Sequence, residues 1–307
     1  MNPIQSVMIT GANAGLGREA ARQLAGQKGV EKILLACRNR AKAEAAKAAL
    51  EAETGRNIFE IVLMDVSKPD SVRAAVASLQ TPVDAVILNA GGSGGRTPNQ
   101  LTDAGVTEIY AMNMLGHVVL VEEFLARQLV TSTLLYAGSE AARGIPKMGM
   151  PVPDLPNTDI AAFTAIINGS RFAADADPTE TYGYIKLLGA LWMGAMARQH
   201  PHLRFVTMSP GGTTGTNGFD DMSFVKRLMF KHIGGVLMPL FGMMHSVETG
   251  AKRYVDGLFN PKFESGRFYA SAKEVPTGQV IDQVKLRPDL ADTETQDNAH
   301  KAIQQFA

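Results

Sequence analysis

The chain is poor in several things, and each shortage excludes something. Only one cysteine, Cys37, stands among its 307 residues, which rules out an intrachain disulfide and a cysteine-built zinc cluster. Charge of either sign is in no excess, with 30 basic and 30 acidic residues. A neutral chain without a basic stripe has no global field to gather nucleic acid. Long apolar runs are missing too. The longest, IGGVLMPLFGMM at 233–244, is too short to cross a bilayer as a helix and is broken by glycine and proline. The opening MNPIQSVMIT lacks the basic, apolar and cleavage-site order of a signal peptide. The expectation is a cytoplasmic protein without a transmembrane segment. Apolar residues are plentiful, at 45%, so a large core is within reach.

Short aliphatic runs alternate with longer helical patterns. The strand candidates are 6–10, 32–37, 58–64, 84–89, 133–138 and 204–209. Between them lie GLGREAARQLAGQ, RAKAEAAKAALEAE, PDSVRAAVASLQ and LGHVVLVEEFLARQLV. Strands apolar on both faces suit a parallel sheet covered on both sides. The spacing predicts a doubly wound α/β fold with a Rossmann-like parallel sheet and right-handed crossovers. No repeat or linker divides the chain, so residues 1–307 read as a single domain. Two segments break the rhythm. Residues 140–180 are proline-rich and read as a functional insertion. Residues 212–245 read as a lid over the strand carboxyl ends, with Phe224, Met229, Phe230, Met238, Phe241 and Met243 lining an adaptable apolar pocket. The neighbouring Lys226, Arg227 and Lys231 raise peripheral membrane contact as a further use of that segment.

The first strand runs straight into TGANAGLG, Thr10 to Gly17. Glycines between a strand and a helix let the backbone turn tightly, approach a pyrophosphate and pack on the helix. The helix then offers free N–H donors and a positive dipole end. Gly11, Asn13, Gly15, Leu16 and Gly17 are therefore the predicted cofactor loop. An acid that would bind a ribose 2′-hydroxyl is absent after the second strand. Arg38 stands there, and its fork can hold a 2′-phosphate, which favours NADP(H) over NAD. Asp65 and Val66 after the third strand, and Asn89, Ala90 and Gly91 after the fourth, complete the predicted wall. Asp65 is placed to accept from the adenine amino group, and Cys37 reads as a small residue near the adenine.

TETYGYIK, 179–186, holds two tyrosines and a lysine. If it opens a helix, Tyr182 and Lys186 share a face and Tyr184 points elsewhere. The apolar, helix-forming run that follows supports the helix. Ser139 ends the fifth strand, Asn113 sits at a helix kink, and His117 reads as a packing residue.

Taken in order, TGANAGLG, LNAGG, Asn113 in AMNMLGH, Ser139 in YAGSE, Tyr182-x-x-x-Lys186 and Pro210-Gly211 resemble the short-chain dehydrogenase/reductase family over almost the whole chain. The resemblance implies that Tyr182 is the general acid/base and that the Lys186 ammonium lowers its pKa. It further implies that Lys186 holds the nicotinamide ribose, Ser139 orients the substrate oxygen and Asn113 anchors a relay water. Pro210 and Gly211 join the cofactor set. LLACRNRAKAEAA, GIPKMGMPVPDL and ETGAKRYVDGLFNPKFESGRFY look like the branch of light-dependent protochlorophyllide oxidoreductase and retinol-dehydrogenase-like reductases. That photoenzyme carries a cysteine after the Pro-Gly pair, where this chain has Gly212, and Tyr-Lys-Asp-Ser-Lys where this chain has Tyr-Gly-Tyr-Ile-Lys. The implied activity is NADP(H)-dependent carbonyl–alcohol interconversion on a hydrophobic small molecule. Reduction of a C=C bond and a non-catalytic NADP(H) sensor are the alternatives. The family often pairs through the helices holding Asn113 and Tyr182, which implies a homo-oligomer.

Overall fold

The alternation of aliphatic runs and helical stretches becomes one sheet with helices on both faces. The computed structural model describes residues 3–92, 97–146, 149–173, 176–214 and 243–307. Six strands lie where the apolar runs predict them: β1 (Ser6–Thr10), β2 (Lys32–Cys37), β3 (Phe59–Leu63), β4 (Val83–Leu88), β5 (Val130–Ala137) and β6 (Arg204–Met208). Two more, β7 (Arg267–Ser271) and β8 (Val280–Asp282), were not read from the sequence. They are short, and β7 owes its extended state to pairing with β6, from Val206 opposite Arg267 to Met208 opposite Tyr269. The strand order is β3-β2-β1-β4-β5-β6-β7-β8. Only the β7–β8 pair is antiparallel. The order reverses between β1 and β4, the switch point where open α/β sheets bind their ligands.

One face carries α1 (Gly15–Ala25), α2 (Arg40–Thr54) and α8 (Val247–Phe259). Their apolar sides bury Leu24, Leu50 and Leu258 against Ile9, Ile33 and Met208 of the sheet. The other face carries α3 (Pro69–Ala77), α5 (Gly116–Ala126), α7 (Pro178–Gln199) and α9 (Thr293–Gln304). Its core includes Trp192, the single tryptophan, edge-on to Tyr136. A short turn α4 (Glu108–Tyr110) and a π-helical turn (Ala111–Leu115) lead into α5. The stretch Glu108–Ala126 is long and apolar enough to cross a membrane by composition, with a mean hydropathy of 1.3, yet 72% of that window is buried inside the fold.

The insertion is more ordered than its composition predicts. Residues 140–180 contain a 3-10 turn (Glu140–Arg143) and α6 (Ile160–Ile167), capped by Asp159 and packed on α9 through an apolar side that includes Phe163 and Ile166. Tyr184 clips the insertion to α7. Its hydroxyl accepts from the Asp154 N–H (3.0 Å) and from Arg171 Nη2 (2.9 Å), and donates to the Asp154 carbonyl (3.0 Å). Most of the expected lid, including Phe224, Met229, Phe230, Met238, Phe241 and the three nearby basic residues, lies outside the described residues.

Candidate active site

A cleft of about 1200 Å³ opens above the carboxyl ends of β1, β2, β4 and β5. Gly11, Asn13, Gly15 and Leu16 line it below, Arg38 and Cys37 at the β2 end, Asp65 and Val66 after β3, and Asn89, Ala90 and Gly91 after β4. Tyr182, Lys186 and Pro210 close its other end. The loop is shaped for a closely approaching ligand. Gly11 and Gly15 have φ of 67° and 53°, where L side chains are strained. A Cβ on Gly17 would stand 2.5 Å from the Gly11 carbonyl, so that glycine lets α1 close on the loop and stays behind the wall. The α1 N-terminus has no side-chain cap, which leaves its N–H groups for an anion. Arg38 is exposed at the rim and makes no ion pair among the described residues. The residues present fit a dinucleotide.

The opening of α7 answers the question posed by its two tyrosines. Asp177 caps the helix and Pro178 starts it, so Tyr182 and Lys186 do share a face. Tyr184 is buried in the clip to the insertion. Lys186 Nζ donates to the Ala137 carbonyl at 2.9 Å and lies 5.5 Å from the Tyr182 ring centre. Ser139, directly beyond β5, stands close enough to the Tyr182 phenol to draw its pKa down, and caps the following turn by accepting from Ala141 N–H at 3.2 Å.

The electrostatics differ from the expected picture. Tyr182 keeps part of its surface open to the cleft, but the density of protein around its phenol pushes its pKa up to about 12, with Ser139 drawing it down and the Glu140 carboxylate raising it further. Lys186, 4% exposed, is driven down to about 7 by desolvation. Burial is the largest cause and Lys186 is not among the groups that shift the phenol, so the expected lowering of the Tyr182 pKa is not found in the cleft as it stands.

Asn113 and His117 sit behind the wall. The Asn113 amide donates to the carbonyls of Gly92 and Ile109, both at 2.8 Å, and its oxygen accepts from Gly92 N–H at 3.3 Å. It staples the π-turn to the segment that follows β4. His117 is buried and its pKa falls to about 3 by desolvation. Its Nδ1 faces the Asn113 carbonyl at 3.1 Å and must carry the hydrogen. Nε2 therefore accepts from Thr10 Oγ1 at 2.9 Å, whose lone pairs meet the N–H groups of Asn89 and Ala90. A neutral, saturated imidazole agrees with a structural His117.

The sequence reading missed two groups. Glu140, next to Ser139, is buried and accepts from Ser209 Oγ (2.5 Å) and Ser271 N–H (2.9 Å), with Arg253 Nη1 at 3.6 Å. It ties the Ser139 turn to the ends of β6 and β7. A carboxylate directly after the strand-end serine was the available signal. Tyr254, on α8, also lines the cleft. Nothing in ETGAKRYVDGLF singles it out, because only the packing of α8 beneath the cleft brings it there. Gly211 stands behind Pro210, with φ of 79°, outside the cleft lining.

Comparison with known proteins agrees with this architecture. Residues 5–133 match the short chain dehydrogenase family. The chain is 29% identical over 242 residues to protochlorophyllide reductase B, chloroplastic, of Hordeum vulgare, covering 73% of this chain and 60% of that protein. It is 35% identical over 121 residues to retinol dehydrogenase 13 of Homo sapiens, covering 38% and 35%. Several curated relatives are matched over only about three fifths of their length. Among solved structures, the NADPH-bound carbonyl reductase from chicken fatty liver superposes with a TM-score of 0.56 at 20% identity, covering 86% of this chain and 95% of that one. At that identity the likeness concerns the fold alone.

Proposed function

We propose that this chain, a member of the short-chain dehydrogenase/reductase family, is an NADP(H)-dependent reductase of carbonyl groups on hydrophobic small molecules, working in the cytoplasm as a single domain. The observation that carries the reading is the meeting of Tyr182 and Lys186 at one end of a cleft, with Ser139 beside Tyr182, and Arg38 at the other end, where it makes no ion pair among the described residues.

Gly11, Asn13, Gly15 and Leu16 would hold the pyrophosphate, with Arg38 on the 2′-phosphate, Asp65 and Val66 at the adenine, and Asn89 to Gly91 along the ribose. Lys186 would hold the nicotinamide ribose, with Pro210 and Gly211 beside it. Bound NADPH supplies a hydride to the carbonyl carbon. Tyr182 gives its phenolic proton to the carbonyl oxygen, so that one hydride and one proton complete the alcohol. A phenol held near 12 is protonated throughout the ordinary pH range and is ready as an acid, which suits the reductive direction. Ser139 donates to the same oxygen and orients it. Lys186, with a pKa near 7, can pick up and pass on a proton near neutrality. The family's habit of pairing makes a homo-oligomer part of the proposal.

Gly212 weighs against light-driven C=C reduction. A Cβ there would lie 2.4 Å from the Met243 carbonyl, so a cysteine would not fit without a backbone shift. A non-catalytic sensor would have no use for a proton donor at the end of the cleft. The test is NADPH oxidation in the dark against hydrophobic aldehydes, ketones and quinones. Turnover that needs Tyr182 supports the reading. Tight NADPH binding without dark turnover of any of them would overturn it.

A further inference from the structure

Helix α8 runs directly beneath the cleft. Its Gly250 leaves room for Leu16, Thr213 and the Pro210 carbonyl, since a Cβ would meet them at 2.8, 2.8 and 3.2 Å. One turn on, Arg253 fixes the helix. It donates to Ser271 Oγ at 3.0 Å, to the Gly278 carbonyl at 3.0 Å and to the Ser209 carbonyl at 3.4 Å, and pairs with Glu140 at 3.6 Å. The next residue, Tyr254, is 1% exposed, packed in the core with Ile9 and Met208, and forms part of the cleft wall together with Ala137, Gly138, Tyr182, Lys186 and Pro210. Among the described residues its hydroxyl meets no hydrogen-bond partner. Unlike the Tyr110 hydroxyl, which is enclosed without a partner, the Tyr254 hydroxyl is not among the enclosed unpartnered atoms, so it stays open to the cleft and available to a ligand there.

We propose that Tyr254 is a cofactor-binding residue of this site, its hydroxyl donating a hydrogen bond to an oxygen of the nicotinamide half of the dinucleotide. The inference rests on the dinucleotide reading and adds to it a contact from the helix below the sheet ends. Burial holds the Tyr254 pKa far above the usual phenol value, with the charges of Tyr182 and Glu140 acting the same way and Arg253 opposing them. The group therefore remains a donor at every working pH. Its neighbours in the wall belong to the catalytic end, away from Arg38, so its contribution falls on one half of the ligand only.

The experiment is a fluorescence titration of the full chain and of Tyr254→Phe with NADPH, each with adenosine 2′,5′-bisphosphate as a competitor. The adenine-half ligand reports that the variant is folded and that the Arg38 end is intact. The expected result is NADPH binding weakened about five- to tenfold in the variant, with adenosine 2′,5′-bisphosphate unchanged. Unchanged NADPH affinity, or equal weakening of both ligands, overturns the role of Tyr254 while leaving the dinucleotide reading standing. Failure of the wild-type chain to bind either ligand overturns that reading, and this contact with it.

Discussion

Replacing Lys186 by methionine should make the protein more stable at low pH and less stable at high pH. The Lys186 pKa falls from 10.5 to about 7 on folding because the ammonium is buried. Between those two values the unfolded chain binds more protons than the folded one, so the lysine's contribution to stability rises with pH. The slope is about 1.4 kcal/mol per pH unit. Below pH 7 both states are protonated and the full penalty applies, about 5 kcal/mol. Methionine removes that penalty but leaves the Ala137 carbonyl, now bonded at 2.9 Å, without its donor, at about 2 kcal/mol. The variant should therefore be about 3 kcal/mol more stable at pH 6, equal to wild type near about pH 9, and less stable above it. Urea unfolding of both proteins at several pH values between 6 and 10.5 measures this. Only the difference between them is read, so groups common to both cancel. A difference that stays flat from pH 7 to 10 would refute the reasoning.

Four further outcomes follow from the geometry. Tyr182→Phe should lower turnover about 10²- to 10⁴-fold, whereas Tyr184→Phe should keep it and lose about 1–3 kcal/mol of stability through the broken clip; steady-state kinetics beside urea melts separate the two. Arg38→Asp should lower NADPH affinity about tenfold or more relative to NADH if the guanidinium meets a 2′-phosphate, read by parallel titrations with each nucleotide. Gly116→Ala should cost about 3 kcal/mol, because its Cβ would fall 1.9 Å from the Val66 carbonyl, a backbone atom that cannot rotate away; denaturant midpoints test this. Glu140→Gln should lower the Tyr182 pKa, since that carboxylate helps raise it, moving the alkaline limb of the pH–rate profile to lower pH, and should cost about 3 kcal/mol by leaving Arg253 short of its counter-charge.

Much of the sheet could be read directly because its signals are local. Six strands are continuous aliphatic runs, the glycine loop lies within eight consecutive residues, and Tyr182 and Lys186 are fixed by the repeat of one helix. Strand β7 was not legible, since its extended state depends on β6, and α6 was masked by the prolines around it. Asn113 and Ser139 were legible as positions in an order of motifs, but the hydrogen bonds they make were not.

Chain order, backbone propensity and apolar periodicity determined the architecture, the place of the glycine loop and which of two tyrosines pairs with the lysine, because each depends on residues within a turn or a strand of one another. The tertiary structure decided the rest. Desolvation by neighbours distant in sequence sets the Tyr182 and Lys186 pKa values, the Glu140–Arg253 pair joins residues more than a hundred positions apart, and the docking of α8 under the cleft brings Tyr254 to the site. Burial and charge act through space, and a sequence records only position along the chain.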